Sequence, residues 1–312
     1  MEKQVTILGA IFQDILALTD KLPAVGETSP GHSIYMTGGG KGANQAVQCA
    51  RMGMRTNMIA QTGNDPQGKF VKSILREEGI NCEYVFVADQ EQTGCASIFA
   101  DANGDNMIVT APGASTTIHV EDVKKAEKMI KESSLFITQL ETNMECTLYG
   151  LKTAKEAGVT TILNPAPAAE LPEEIYQYTD FITPNETECE FYTGILRKDF
   201  SDIREWASSS AEYLKNKGVK NVLITLGSKG VYFKNQESEF IVPAMKVKAV
   251  DTTAAGDSFH GGFAYGLMQE MDMETCCKIG NACGAVTSSG KGAQSSIQKK
   301  EVIFNFIKTG MM

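Results

Sequence analysis

The chain has 312 residues, of which 42% are hydrophobic, and a formal net charge of −9 at pH 7. This length and apolar content allow one large α/β domain or two smaller ones. The negative charge disfavours nucleic acid as a partner, because affinity for a phosphate backbone rests mainly on Lys and Arg. No apolar run is long enough to cross a bilayer, and the start lacks the features of a signal peptide. We therefore expect a cytoplasmic protein that binds small molecules, with no nucleic-acid or membrane partner.

Eight cysteines are scattered along the chain without a Cys-x-x-Cys pair. None of the three histidines is spaced with a cysteine as a zinc site requires. We expect most of these thiols to be reduced and buried, and we expect no structural zinc.

Short β-rich runs alternate with amphipathic helical patterns along most of the chain. The runs typical of strands are residues 5–10, 56–60, 134–140, 159–164, 180–184 and 221–227, and the helical patterns cover 42–53, 66–79, 147–158 and 203–218. This alternation predicts a mainly parallel sheet with helices on both faces. Ligands of such sheets bind outside the carboxyl ends of the strands.

Two β-rich segments, residues 27–37 and 93–111, have no helix between their strands. The second contains Asn103-Gly104, a two-residue hairpin signal. Together they predict a small sheet that protrudes from the main domain and acts as a lid. The alternative is that they are ordinary edge strands.

A glycine-rich stretch, "TGGGKGANQAV" at 37–47, precedes a predicted helix. It is not a Walker loop, because Lys41 is followed by Gly42 rather than Ser or Thr. A loose G-x-G-x-x-A match over 38–43 allows a dinucleotide-binding interpretation, and a simple tight turn explains the glycines. Lys41 and Asn44 together suit hydrogen bonds to sugar hydroxyls.

Two further motifs follow predicted strands. "LITLGSKGVYF" at 223–233 is either a plain hairpin or a loop that lies along nucleotide phosphates. In "TPNETE" at 183–188, Asn185 and Glu188 form a capping pattern or organise water around magnesium.

The stretch "DTTAAGD" at 251–257 begins another predicted helix near Ala254–Gly256. Amide groups at such a helix start stabilise charge on a transferred phosphoryl group. Asp257 in the first turn is placed to accept a proton from a hydroxyl, although an acid there also simply favours a helix N-terminus. Asp251 precedes the helix and suits a cation or the fixing of the loop.

In order along the chain, "GAIFQD", "GGGKGANQAV", "QLE", "NPAPA", "TPNETE", "TLGSKG", "DTTAAGDSFHGG" and "KGAQSS" resemble the motifs of the ribokinase family of carbohydrate kinases. The resemblance covers essentially the whole chain. It implies a single three-layer α/β/α domain over residues 1–312 with a small β-sheet lid. It also implies an ATP-dependent, magnesium-requiring, potassium-stimulated kinase that phosphorylates the O5 hydroxyl of D-ribose or a close relative.

The resemblance also implies roles for individual residues. Asp257 corresponds to the base, and the amides of Ala255 and Gly256 to the anion hole. The positions for the sugar are Asp14, Gly40, Lys41, Asn44 and Glu141, with Asp257. Those for the nucleotide are Asn185, Thr225, Gly227, Ser228, Gly230, Gly256 and Asn281. Those for a monovalent cation are Asp251, Thr253, Thr287, Gly290, Gly292 and Ser296, and Asn185 with Glu188 forms the magnesium-linked motif.

One position departs from the family pattern. Where ribokinases usually have an asparagine that bonds a sugar hydroxyl, this chain has Phe12. An aromatic ring cannot replace that bond, and an unpaired buried hydroxyl costs about 1–3 kcal/mol. A kinase for 2-deoxyribose, another furanose or a nucleoside is therefore the alternative to a ribose kinase. A non-catalytic sugar or nucleotide sensor is a more remote one, and the family further implies a homodimer formed through the lid.

Overall fold

The computed structural model describes residues 3–101 and 105–311. Its strands are β1 (Gln4–Leu8), β2 (Phe12–Thr19), β3 (Gly31–Gly39), β4 (Arg55–Gly63), β5 (Asn81–Ala88), β6 (Gly94–Ala100), β7 (Asn106–Ala111), β8 (Leu135–Thr138), β9 (Thr160–Leu163), β10 (Phe181–Ile182), β11 (Asn221–Thr225), β12 (Val231–Lys234) and β13 (Glu239–Val242). Its α-helices are α1 (Lys41–Arg51), α2 (Pro66–Glu77), α3 (Val120–Lys125), α4 (Glu127–Lys131), α5 (Met144–Glu156), α6 (Glu186–Thr193), α7 (Ile203–Asn216), α8 (Ala255–Met268), α9 (Met273–Ser288), α10 (Ala293–Ser296) and α11 (Lys300–Thr309).

A central sheet runs through this described part in the order β13-β12-β11-β10-β9-β8-β1-β4-β5. Seven neighbouring strands, from β11 to β5, are parallel, and β12 and β13 continue the sheet in antiparallel pairing. The predicted parallel sheet is confirmed, and each strand and helix pattern noted in the sequence lies on an element of the predicted type.

Helices cover both faces of the central sheet, and the alternation of side chains along its strands supplies both cores. On β8, Leu135 and Ile137 face one core while Phe136 faces the other. The first core packs against α1, α2, α8, α9 and α11, through residues such as Ala43, Val71, Phe263, Cys283 and Ile303. The second packs against α3 to α7, through residues such as Val123, Ile130, Leu151, Cys189 and Trp206. Strands buried on both faces have the near-continuous apolar runs seen in the sequence.

A separate small sheet has the order β3-β2-β6-β7, with β2 and β6 parallel and the other pairs antiparallel. The predicted lid sheet is therefore present, although its strand near the first segment is Gly31–Gly39 rather than 27–37. The strand β2 was not predicted, because its apolar residues follow those of β1 almost without interruption. Asn103-Gly104 lies outside the described residues.

The lid sheet carries a group of exposed apolar side chains. Ile34, Tyr35 and Met36 on β3 have 62%, 55% and 57% of their surface exposed, and Val109 on β7 has 67%. Side chains alternate between the two faces of a strand, so Ile34 and Met36 share a face with Val109 while Tyr35 lies on the other face. The face of Ile34, Met36 and Val109 is therefore an apolar surface available to a partner.

All eight cysteines are free thiols, and all but Cys95 are buried, as expected. Within residues 3–101 and 105–311, no helix has both the length and the apolar character that a membrane span needs.

Candidate active site

Polar residues gather at the carboxyl ends of the central strands, where the rule for parallel sheets places a ligand site. Gln139 follows β8, Asn164 follows β9, Thr183 follows β10, and Thr225 ends β11. The starts of α1 and α8 lie over the same edge, since side chains of α1 bond to the first turn of α8.

Asp257 is buried in the first turn of α8. Its carboxylate accepts a hydrogen bond from Asn44 Nδ2 at 2.9 Å and another from Gln45 Nε2 at 3.3 Å. Both donors lie in α1, so the carboxylate is oriented by a segment more than 200 residues away in the sequence. A carboxylate held in this way can serve as a general base.

The amide groups before Asp257 form an exposed helix start. Among the described residues, the amides of Gly256 and Asp257 donate to no acceptor, whereas Ala255 donates its amide to the Thr252 carbonyl at 3.1 Å. Ala254 precedes them in the left-handed region at φ 60°, a conformation that costs a non-glycine residue energy and clusters at functional sites. The predicted anion hole is therefore open at Gly256 and Asp257, and Ala255 contributes to it only if its bond to Thr252 breaks.

Lys41 begins α1 close to three carboxylates. Its backbone amide donates to Glu141 Oε2 at 2.8 Å. Burial alone would lower the pKa of the Lys41 ammonium, but the charges of Asp257, Glu141 and Glu188 outweigh that effect and raise it. The ammonium has no hydrogen-bond partner among the described residues, so a positive charge is held in the site for a ligand.

Asp14 projects from β2 into the same region. Burial, with the charges of Glu141 and Asp257, raises the pKa of Asp14 to about 7. Burial likewise raises the pKa of Glu141 to about 7, with Lys41 opposing the shift. Strongly shifted pKa values of this kind cluster at functional sites, so both acids are candidates for ligand binding.

Glycines make room for these side chains. A methyl group at Gly39 would overlap the Asp14 carboxylate, and one at Gly40 would lie 2.8 Å from the Ala10 carbonyl oxygen. Gly40 also has φ 85°, a conformation that suits only glycine at low cost. The glycine-rich motif therefore serves the close approach of the chain around Asp14.

Asn44 keeps one polar atom free. Its Nδ2 donates to Asp257, while its buried Oδ1 has no partner among the described residues. A buried acceptor without a partner costs free energy, and a ligand hydroxyl that donates to it removes this cost. Lys41, Glu141, Asp14 and Asn44 thus form a polar pocket beside Asp257.

The other side of the α8 start is a cleft of about 740 Å³. Its lining includes the positions predicted for a nucleotide, namely Asn185, Thr225, Gly227, Ser228, Gly230, Gly256 and Asn281, and also Ala255. The sequence analysis missed the apolar part of the lining, which includes Met245, Val247, Phe259 and Ala285. Asn281 also donates its Nδ2 to the Val242 carbonyl at 3.0 Å, which secures this wall.

Loop 227–230 connects β11 to the antiparallel β12, so the hairpin interpretation is confirmed and the loop still lines the cleft.

Asn185 and Glu188 form a capping box at the start of α6. Glu188 donates its amide to Asn185 Oδ1 at 2.8 Å, and Asn185 donates its amide to Glu188 Oε2 at 2.9 Å. The capping interpretation is confirmed. Burial raises the pKa of Glu188, against the opposing effects of this hydrogen bond and of Lys41.

The predicted cation-binding residues lie in the loop before α8 and in the segment from the end of α9 to α10, which Asp251 joins. Asp251 Oδ2 accepts the Gly292 amide at 2.8 Å, and Oδ1 accepts the Thr253 amide at 2.9 Å and its hydroxyl at 2.6 Å. Thr287 donates its hydroxyl to Ser258 at 2.8 Å, and its carbonyl accepts the Gly290 amide at 3.1 Å. Ser296 donates its hydroxyl to the Ala293 carbonyl at 2.9 Å. The structure thus brings these six positions together, while several of their side chains are engaged in bonds within the protein.

Sequence reasoning missed a buried polar network beneath Asp257. Gln139 donates to Gln45, Gln45 contacts Asn164, and Asn164 donates to the Thr183 carbonyl. The sequence motifs contain these residues, but their separation along the chain hides that they meet.

The loose G-x-G-x-x-A match at 38–43 does not follow the kind of strand that a dinucleotide fingerprint requires. It follows β3, which is an antiparallel strand of the lid, whereas a dinucleotide fingerprint follows a strand of the central parallel sheet.

A family model of the pfkB family carbohydrate kinases matches residues 2–300. The chain belongs to this family. It is 37% identical to ribokinase from Haemophilus influenzae over 99% of both chains. It is 35% identical to deoxyribokinase from Salmonella typhi over 94% of both. The structure of Arabidopsis thaliana ribokinase complexed with ribose and ATP matches with a TM-score of 0.89 and 27% identity, over 99% of both chains.

This membership makes the protein an ATP-dependent carbohydrate kinase with the ribokinase fold. The polar pocket and the 740 Å³ cleft of the kinase meet at the start of α8. Group transfer between two bound substrates requires such an arrangement.

The raised pKa of Asp14 predicts a pH-dependent stability. The folded kinase holds a proton on Asp14 up to about pH 7, whereas the ordinary pKa of an aspartate is 3.8. The protonated Asp14 carboxyl contributes its full stabilisation of the folded state below pH 3.8, and this stabilisation is lost as the pH rises through about 7. We expect the Tm of the wild type to fall between pH 5 and pH 8, and we expect a smaller fall in Asp14→Asn.

Thermal unfolding of both proteins at the two pH values measures this difference. Asp105→Asn is the control, because Asp105 is exposed in the lid. An Asp14→Asn variant with the same fall in Tm as the control would show that Asp14 is ionised in the folded kinase.

Proposed function

We propose that the protein is a ribokinase that transfers the γ-phosphoryl group of ATP to the O5 hydroxyl of D-ribose. The observation that carries the proposal is the position of Asp257. Its carboxylate is buried and oriented by Asn44, and its amide is free at the start of α8, between the polar pocket and the cleft. We assign residues 1–312 to a single catalytic domain, because both cores pack against one sheet.

The proposed step follows from these groups. Asp257 accepts the proton of the sugar O5 hydroxyl, and the O5 oxygen forms a bond to the γ-phosphorus. The bond between that phosphorus and the β,γ-bridging oxygen breaks, and ADP leaves. The free amides of Gly256 and Asp257 donate to the phosphoryl oxygens, where negative charge must be stabilised.

We assign sugar binding to the polar pocket. Asn44 Oδ1 is free to accept a sugar hydroxyl, and Lys41 offers an ammonium without a partner. Asp14 and Glu141 accept further hydroxyls when ionised, and Gly40 lets the chain approach the sugar closely. The nucleotide is assigned to the cleft lined by Asn185, Thr225, Gly227, Ser228, Gly230 and Asn281.

The residues present also suit the two cations that the family implies. Glu188 Oε1 accepts no hydrogen bond within the described part, and with Asn185 it would hold water around a magnesium ion, which shields phosphate charge. The two segments that contain Asp251, Thr253, Thr287, Gly290, Gly292 and Ser296 offer carbonyl and hydroxyl oxygens that suit potassium. Bound there, potassium would support the loop before α8.

Removal of the base should stop turnover but not binding. We expect Asp257→Asn to lower kcat at least 1,000-fold, on the order of the loss when a general base is removed. Ribose should still bind, because Asp14, Lys41 and Glu141 are unchanged. ADP release with ATP, Mg²⁺, K⁺ and a sugar measures turnover, and calorimetry measures ribose binding.

Asp105→Asn serves as the control, since Asp105 is exposed in the lid. Retained turnover in Asp257→Asn would exclude Asp257 as the base. A wild type that binds sugar without releasing ADP would support the sensor instead.

A second candidate substrate is 2-deoxyribose, which Phe12 favours. Phe12 and Asp14 are two residues apart on β2 and therefore face the same side of the lid sheet, toward the sugar pocket. The Phe12 ring is 4% exposed and lies against Gly94 of β6, where it offers no hydrogen bond. A sugar that lacks a hydroxyl leaves no unpaired group against this ring.

The ratio of kcat/KM for ribose to that for 2-deoxyribose tests this second candidate. We expect Phe12→Asn to raise the ratio about 5- to 150-fold, the equivalent of about 1–3 kcal/mol for one buried hydrogen bond. Phe12→Leu is the control, since it shortens the apolar side chain without adding a polar group. A wild type that already prefers ribose, with a ratio that Phe12→Asn leaves unchanged, would contradict a role for Phe12.

We also propose that the kinase forms a homodimer through the lid sheet. Ile34, Met36 and Val109 support this proposal, because they lie on one face of the lid sheet and expose an apolar surface that a second copy would cover. A C₂ dimer would place the same surface of each copy against the other.

Light scattering after size exclusion measures the mass. We expect a dimer of about 68 kDa for the wild type, twice the chain mass of 33.8 kDa. Ile34→Glu should reduce it to a monomer, because a carboxylate in an apolar interface is costly. Val302→Glu, at an exposed apolar residue of α11, should leave the dimer intact. A dimeric Ile34→Glu variant or a monomeric wild type would exclude this interface.

A further inference from the structure

His260 lies in α8 one turn after Gly256 and is almost completely buried, with 2% of its surface exposed. Its Nδ1 lies 2.6 Å from the Gly256 carbonyl oxygen, and its Nε2 lies 2.5 Å from Thr183 Oγ1. The ring thus connects the first turn of α8 with the loop after β10. The mechanism described above gives this residue no role.

These two contacts determine where the ring carries its proton. A carbonyl oxygen only accepts, so Nδ1 must donate to Gly256. Burial lowers the pKa of His260 to about 4, against the opposing charge of Asp257 and with help from Lys41, so the ring is neutral near pH 7. In a neutral ring with a proton on Nδ1, Nε2 is an acceptor. The single proton of the Thr183 hydroxyl then goes to Nε2 at 2.5 Å rather than to its other acceptor, the Leu163 carbonyl at 3.3 Å.

The bond to Gly256 acts on the peptide group that Gly256 shares with Asp257. This peptide is planar, and in a trans peptide the carbonyl and the amide point in opposite directions. A ring that holds the Gly256 carbonyl therefore also fixes the direction of the Asp257 amide. That amide is one of the two free donors at the start of α8.

A chain of hydrogen bonds also connects His260 to the Asp257 carboxylate. Thr183, which donates to the ring, accepts at its carbonyl from Asn164 Nδ2 at 3.3 Å. Asn164 Oδ1 in turn lies 3.3 Å from Gln45 Nε2, which also lies 3.3 Å from Asp257 Oδ1. Every member of this chain of bonds is buried or nearly so, and such networks restrict the orientations of their members.

We propose that His260, as the neutral Nδ1–H tautomer, is a positioning residue for phosphoryl transfer. It holds the Gly256–Asp257 peptide so that the Asp257 amide points to the transferred group while the Asp257 carboxylate faces the sugar hydroxyl. His260 acts through this peptide and touches neither substrate. This inference rests on the proposed function, since it concerns the same base and the same helix start.

Kinetics of two variants test the proposal. His260→Phe keeps a ring but loses both hydrogen bonds, so we expect kcat to fall about 10- to 100-fold, the scale of a small misplacement of reacting groups. The KM values for ribose and ATP should stay within about threefold, because the groups assigned to them are untouched. His260→Asn retains a donor that reaches the Gly256 carbonyl, and should recover most of kcat.

Tyr265→Phe is the matched control, since Tyr265 is a buried aromatic residue of the same helix away from Asp257. It should keep the wild-type kcat. Equal kcat in His260→Phe and the wild type would overturn the positioning role. A parallel loss of Tm, kcat and both KM values in His260→Phe and His260→Asn would also overturn it, because it would indicate a role in folding alone.

A spectroscopic measurement does not depend on turnover. In the kinase labelled with ¹⁵N-histidine, the signal that His260→Asn removes should show a protonated Nδ1 and an unprotonated Nε2 from pH 6 to pH 8. An Nε2–H tautomer or an imidazolium would overturn the proposal even if the kinase is active.

If the wild type released no ADP with any sugar, the proposed function would fall, and the positioning role with it. An active wild type with an unaffected His260→Phe would remove only the positioning role.

Discussion

The hydrogen bond from Asn44 Nδ2 to the Asp257 carboxylate joins the starts of α1 and α8, and the arrangement of the site depends on it. It places the glycine-rich motif of α1 against the helix start that lines the cleft. The remaining polar groups follow from this contact, since Lys41 begins one helix and the free amides begin the other. Two helix starts that lie far apart in sequence therefore create one reaction centre.

The site is held in a state that costs stability when no ligand is bound. Asp14 and Glu141 are buried near one another, Asn44 keeps an acceptor without a partner, and Ala254 has a left-handed backbone conformation. Each is unfavourable on its own, and the two packed cores of the central sheet compensate for them. Binding of a polyhydroxylated ligand relieves the first two, because hydroxyl groups donate to carboxylate and amide oxygens.

Much of the fold could be predicted because its signals are local. Apolar periodicity located the central strands and helices, and the capping pattern of Asn185 located α6. The lid strand β2 could not be separated from β1 by periodicity, because the two apolar runs are nearly continuous. The network of Gln45, Asn164, Thr183 and His260 was also hidden, since nothing local distinguishes a buried glutamine or histidine that meets its partners through the tertiary structure.

The surroundings of Phe12 bear on how substrate preference can change during evolution. Phe12 pairs with Gly39 on one side and Gly94 on the other, and neither neighbour has a side chain that must be repacked when residue 12 changes. A methyl group on either glycine would overlap Asp14 or the ring itself. Residue 12 can thus change without repacking of the strands beside it, so under the role proposed for Phe12 a single substitution would change the preferred sugar without compensating substitutions.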